Sequence, residues 1–286
     1  MESVADSNDQ PEPGLETLST APPENKVNAG SPLRIQVLPE DEALLTFSES
    51  VLTSRCMTQL GFTFVAFDYE SLKSSYQASA RAANYERFPY DSVSEGIPYV
   101  QTVEPLPEDP NAARIASMSE EERTVYGDAL QGFITDRVAG QALGVTLETP
   151  REGCVSEARV QIYGSLENAM ASLIVSSNLY NVAHQGARLS PEVASALESW
   201  IGCMAASGYD YEDFTQARQA AKANDALAIA SADSQCVEAA NLSTLYRAAY
   251  EAALRDTLEI DGRAGVDALV QVRRNALSRA KDLLSS

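Results

Sequence analysis

The chain is short of the residues on which most arguments from sequence to chemistry depend. Its 286 residues include one histidine, His184. Any Ser-His-Asp or Cys-His constellation would have to use that residue, and a His-based metal cluster is excluded by count. Basic residues are scarce as well, 21 against 41 acidic, for a net charge of -20. Such a surface repels phosphate backbones and anionic lipid, which argues against nucleic-acid binding and against membrane attachment through a basic patch. No apolar run approaches the roughly 20 residues needed to cross a bilayer. Phosphate-cradling glycine loops, dinucleotide fingerprints and Gly-x-Ser-x-Gly elbows are also missing, so no cofactor is expected. Nor does the N-terminal stretch have the basic start and apolar core of a signal peptide. With 41 acids to choose from, composition singles out no carboxylate pair for glycoside hydrolysis.

What is present is a repeat. Cys56–Phe67, CMTQLGFTFVAF, returns at Cys203–Phe214 as CMAASGYDYEDF, with Cys, Met, Gly, two aromatics and Phe at identical offsets. The spacing reads as a helix terminus. Gly61 and Gly208 fall just past the C-cap, where the backbone turns left-handed and glycine escapes the Cβ penalty. The residue after each glycine would then pack on the one five positions earlier, pairing Phe62 with Met57 and Tyr209 with Met204. A cysteine one residue before that Met sits in the last turns of a helix, well placed to staple it to a neighbour.

The repeat extends to the remaining two cysteines. Cys154 opens CVSEA and Cys236 opens CVEAA, each read as the first residue of a long amphipathic helix. Four cysteines allow three pairings, and sequence alone does not choose. Equivalence of the units favours Cys56 with Cys154 and Cys203 with Cys236. Reduced buried thiols are the competing reading, while the wide spacing disfavours a four-Cys metal site. Disulfides would imply an oxidising compartment, so an export signal is expected upstream of the given start. The connection between cysteines is 97 residues long in the first unit and 32 in the second. An insertion over about 68–153 accounts for the difference.

In chain order, residues 1–32 are rich in Pro, Ser, Asn, Gly and Glu and read as an extended tether. Residues 33–186 form a first helical half with the irregular insertion, and 187–286 a second. A short alternating apolar run, Leu33–Leu38, precedes a helix from Pro39 to the cap at Gly61. Ser71–Phe88 reads as helix, and the Pro-rich acidic stretch after Gln101 as loop. Ser119 and Glu122 form a capping box ahead of Val125, Tyr126, Ala129, Leu130 and Phe133. Residues 138–153, with Gly140, Gly144, Pro150 and Gly153, read as irregular. Long helices are expected over Cys154–Ala183 and Cys236–Leu258. Others run from Pro191 to Ser207, over Asp213–Ala223, through ASADSQC, and from Val266 to Leu284, where Arg273 favours the C-terminal dipole. His184 is expected to cap a helix ending at Gly186. Asn241-Leu242-Ser243 is a glycosylation sequon placed inside a helix. The fold class is therefore all-α: a disulfide-stapled helical bundle of two related halves.

CMTQLGF with GCVSEA, and GCMAASGY with ADSQC and VEAANLSTLYRAAYEAAL, resemble a group of uncharacterised exported or lipoprotein-like proteins of actinomycetes. The resemblance covers about residues 40–260. It implies a secreted or envelope location with structural disulfides, and it carries no catalytic residues. The expected function is non-enzymatic binding of an unknown envelope or protein partner through the acidic, Tyr-rich insertion, whose candidate face is Tyr69, Tyr76, Tyr85, Tyr90 and Tyr99. The alternative is an extracytoplasmic hydrolase acting on an envelope polymer.

Overall fold

Proline at the first helical position and three acids in the first turn, Glu40, Asp41 and Glu42, start helix α1, Pro39–Gln59. The computed structural model describes residues 37–87, 108–223 and 226–284, the side chains of 81–87, 222, 223, 226 and 284 excepted. The tether expected over 1–32 lies outside the described residues, and the contacts gather Leu33–Ser286 into one unit. α1 closes as its sequence predicts. Gly61 has φ +85°, its N–H donates to Thr58 O at 3.0 Å, and Phe62 N–H donates to Met57 O at 2.8 Å. These two bonds are the Schellman pair.

The segment that follows runs out to α2, Tyr69–Arg87, whose first turn is held by Asp68 accepting from Ser71 N–H at 2.8 Å. After a short α3, Ala112–Ala116, the capping box of Ser119 and Glu122 opens α4, Glu120–Gln131, with both reciprocal bonds made. The buried Asn111 side chain imitates a strand neighbour. It accepts from Val65 N–H at 2.8 Å and donates to Val65 O at 2.9 Å, tying the segment after α1 to the start of α3.

Residues 138–153 are not irregular. Strands β1, Arg137–Ala142, and β2, Val145–Pro150, form an antiparallel hairpin whose register pairs Ala142 with Val145 and Arg137 with Pro150. Leu143 and Gly144 both have positive φ, the mark of a type I′ turn. Small residues on β1 hide the alternation that would announce a strand, yet they are what its packing needs. A Cβ on Gly140 would overlap the Glu167 carbonyl and stand 2.5 Å from Met170 Cβ, so the strand lies almost on the next long helix. The insertion is thus built of α2, α3, α4 and the hairpin where it is described.

The helix expected over Cys154–Ala183 is two helices. α5, Cys154–Tyr163, stops at left-handed Gly164, and α6, Leu166–Arg188, restarts with Ser165 accepting from Asn168 N–H at 3.2 Å. α6 does not end at Gly186. That glycine lies inside the helix, where an added Cβ would stand 2.7 Å from Ala253 Cβ. Ser190 caps α7, Pro191–Ala206, which ends in the second Schellman pair: Gly208 N–H to Ala205 O at 3.0 Å and Tyr209 N–H to Met204 O at 2.9 Å. α8, Phe214–Ala223, and α9, Ala226–Ala239, follow. Cys236 does not open a helix; it lies near the end of α9. Asn241, exposed and left-handed at φ +50°, separates α9 from α10, Leu242–Glu259, so the sequon residue is at a turn. α11, Gly262–Leu284, completes eleven helices and one hairpin among the described residues.

Cys56 is bonded to Cys154 and Cys203 to Cys236. The two cap-and-staple units match locally and then diverge, because one second cysteine begins a helix and the other nearly ends one. Three clusters of buried residues fill the body. The largest gathers α6, α7, α9, α10 and the start of α11 around fully buried Trp200 and Tyr246. The second joins α1 and α5 to the end of α11, and the third sets Met57, Tyr126 and Cys154 beneath the first staple. Each large side chain buried in this way contributes about 1.5–3 kcal/mol.

Gly140→Ala is expected to destabilise the protein by about 1–3 kcal/mol, because β1 would have to leave the backbone of α6. Gly127→Ala, mid-helix with no atom within 4 Å of the added methyl, should instead stabilise by about 0.5–1 kcal/mol. Denaturant midpoints of the two variants, which should move in opposite directions, check both.

Candidate functional site

Charge enters the core where α1, α5, α6 and α11 meet. Arg273 of α11 is 4% exposed, so the sequence-based assignment to the helix dipole is replaced by a buried role. One guanidinium nitrogen donates to Ser176 Oγ at 2.9 Å and Ser172 Oγ at 3.0 Å, and the other pairs with the Glu42 carboxylate in a short contact. A second pair lies along the same side of α1. Arg159 Nε is 3.4 Å from Glu49, while another Arg159 nitrogen donates to Thr149 Oγ1 at 3.2 Å, which ties α5 to β2.

Burial raises the Glu49 carboxyl above its ordinary pKa, outweighing the opposing pull of Arg159 and of its hydrogen bond with Tyr163. The same burial, reinforced by the charges of Glu49 and Glu42, pushes the Tyr163 phenol well above its usual range. Asp41 is raised too, chiefly by burial, although Arg273 and Lys281 pull it down. Perturbed acids of this kind occur at catalytic sites, and structural ion-pair networks produce them equally. Here the Glu49 and Arg159 side chains are 18% and 21% exposed and are spent on each other, Tyr163 and Thr149. This arrangement fits a structural clamp better than a proton-transfer site reached by substrate.

The residues singled out from sequence fall on both sides of that distinction. His184 does not cap a helix: its Nδ1 meets the Tyr246 hydroxyl in a short hydrogen bond between α6 and α10, with the rings edge to face at 5.9 Å. All four cysteines are in disulfides, so none serves as a nucleophile. Met57 and Met204 are fully buried beneath their caps, clustered with Phe62 and Tyr209 respectively. Tyr69 stacks edge-on against Phe47 at 5.6 Å, and Tyr76 hydrogen-bonds Thr46 at 2.8 Å. Those two tyrosines, both half-buried, fasten α2 to α1. Tyr90, Tyr99 and the side chain of Tyr85 lie outside the described residues.

The structure draws attention to two surfaces that the sequence reading passed over. Phe133, counted by periodicity as part of α4, lies beyond the end of that helix and is 57% exposed, with Ile134 beside it at 76%. Their loop is fixed at both ends. Gly132 N–H donates to Asp128 O at 2.9 Å and the glycine abuts Glu152 and Gly153, while Arg151 N–H donates to Asp136 O at 3.0 Å and its Nε reaches both Asp136 carboxylate oxygens at 3.1 Å. The signal for this loop was Gly132, which stops the helix. The other surface is a groove of about 250 Å³ between α7 and α8. Among the described residues, no group of three or more His, Cys, Asp or Glu is arranged to hold a metal ion, and no helix is long and apolar enough to cross a membrane.

Comparison with protein-family models, curated proteins and solved structures yields no match to this chain.

The raised pKa of Glu49 fixes the sign of its pH effect. An acid whose folded pKa lies above its unfolded value, here 4.5, stabilises fully below that value and loses the contribution as pH rises through the folded pKa. Glu49→Gln is therefore expected to gain stability relative to the parent chain as pH rises from about 4 to about 7. Urea unfolding of both proteins across that window measures the difference; a gap that stays constant or shrinks would show that Glu49 carries no such cost.

Proposed function

We propose that the chain is a non-enzymatic helical protein of an oxidising, extracytoplasmic compartment, secreted or held at the cell envelope, that binds a partner through the insertion between α1 and α5. Its two disulfides fit such a compartment. The single observation that carries the binding role is the presentation of Phe133 and Ile134. Two large apolar side chains stand in solvent at the apex of a loop pinned on both flanks. Rigid apolar groups of this kind lose little conformational freedom on docking, which is what interface anchors require. Four exposed carboxylates, Asp128, Asp136, Glu148 and Glu152, belong to the helix end, loop and strand beside them. Asp136 and Glu148 are paired with Arg151 and Arg137, which leaves Asp128 and Glu152 as the acids outside ion pairs among the described residues. A partner surface with an apolar pocket and a basic rim would complement this arrangement.

The hydrolase alternative has less support. It needs two reachable carboxyls flanking a cleft, about 5–10 Å apart. Of the acids with raised pKa values, Glu49 is paired with Arg159, and Asp41 is half-buried in the first turn of α1.

A photo-crosslinking residue at position 134 of the exported, full-length protein is expected to give a discrete adduct on intact cells. Phe133→Ser with Ile134→Ser should reduce affinity for that adducted partner by about tenfold or more. Being exposed, the same substitutions should leave stability within about 0.5 kcal/mol. A partner that binds the double variant as tightly as the parent would rule out the loop as the docking element.

A further inference from the structure

A second surface, lined by residues outside the insertion, combines an apolar groove with exposed charge of both signs. The groove between α7 and α8 is lined by Val193, Ala194, Leu197, Ile201 and Phe214, an apolar floor with charge only at its edges. Arg188 lies where α6 enters the groove. Glu198, two turns into α7, and Asp213, just before α8, supply the opposite charge. Neither Arg188 nor Glu198 forms an ion pair with any described residue. Between Arg188 and the cap of α7 stands Leu189, 83% exposed, a large apolar side chain beside an apolar groove that it does not fill.

We propose that this groove is a homodimer interface, in which Leu189 of each copy enters the groove of the other and Arg188 of each faces Glu198 of its partner. A surface that carries a knob, a socket, a cation and acidic groups can satisfy itself under a two-fold axis, because every contact is then made twice. The outward side of α7 suits close approach. Ala194, Ser195, Ser199 and Gly202 are exposed and small, and the helix carries only two charged residues, Glu192 and Glu198. Fewer charges on the approaching helix mean less like-charge repulsion between two copies of a chain of net charge -20. At physiological ionic strength the long-range repulsion is screened beyond about 8 Å, leaving the local apolar contact and the paired charges to decide association.

The test is sedimentation equilibrium of the oxidised full-length protein from micromolar to millimolar concentration. A monomer–dimer equilibrium is expected. Arg188→Glu and Glu198→Arg should each weaken it by about tenfold or more, since each replaces two attractive contacts with two repulsive ones. The combined variant, Arg188→Glu with Glu198→Arg, should restore the dimer to within about threefold of the parent, a rescue that general changes in charge or folding do not produce. Leu189→Ser should weaken it as well. All three positions are at the surface, so unchanged thermal midpoints will separate loss of association from loss of fold. A protein that remains monomeric throughout the range overturns the proposal. So does a dimer indifferent to the single charge reversals, or a reversal pair that fails to rescue. A dimer abolished by Phe133→Ser with Ile134→Ser, but not by Arg188→Glu, would move self-association to the insertion loop and overturn it too. Failure of the groove leaves the partner-binding role of Phe133 and Ile134 untouched, because the two surfaces are tested by different substitutions.

Discussion

A guanidinium cannot shed its proton at any pH that a protein survives, so burying Arg273 obliges the fold to bring partners to it. Those partners come from far along the chain. Glu42 is 231 residues away on α1, and Ser172 and Ser176 are about a hundred residues away on α6. Three helices that share no turn are therefore held to one arrangement at a single point. Removing one member of such a buried pair leaves an uncompensated charge, at a cost of about 3–5 kcal/mol, more than most single apolar contacts contribute. Arg159 and Glu49 repeat the device between α5 and α1, and Thr149 extends it to the hairpin. The ionic core is less a source of net stability than a set of constraints on which helix lies against which.

What could be read from the residues alone follows from how local each determinant is. The caps at Gly61 and Gly208 depend on six consecutive residues, and each folds as its spacing implies. The capping box at Ser119 is equally local. The hairpin escaped notice because its determinant lies elsewhere: Gly140 is small for the sake of α6, whose Glu167 and Met170 it touches. Glycine and alanine chosen for close packing erase the alternation by which a strand is recognised. The breaks at Gly164 and Asn241 were hidden for a different reason. Apolar periodicity continues across each, and the left-handed backbone marks the interruption, joined at the first by the Ser165 cap.

The candidate sites show the same division. Aromatic density marked the insertion as unusual, but density does not say which ring meets solvent. Tyr69 and Tyr76 are committed to α1 through Phe47 and Thr46, neighbours that only the tertiary fold supplies. Phe133 was assigned to the helical stripe because it falls in step with Val125, Tyr126 and Leu130. The helix ends at Gln131, two residues too soon for that stripe to include it. Titratable groups show the converse. Burial raises both Glu49 and Tyr163, and the same burial makes them poor candidates for chemistry on a substrate.

The first staple gains significance from what lies inside its loop. In the chain-entropy account, closing a span of 98 residues restricts the unfolded chain by about 4.7 kcal/mol, and closing one of 33 by about 3.7 kcal/mol. By stability alone the two bonds are near equals. Their placement differs. Cys56 closes α1 just before its cap and Cys154 opens α5, so the covalent ring contains the whole insertion, including the loop that bears Phe133 and Ile134. Next to that bond, Gly153 touches Gly132, the residue from which the apolar loop departs. Orientation of the loop is thus referred to the α1–α5 junction through one disulfide, one glycine contact and the Arg151–Asp136 pair, with no long flexible segment intervening on that side. A repeated cysteine motif that explains no reaction explains instead how an exposed pair of apolar side chains is held still, as the proposed binding role requires.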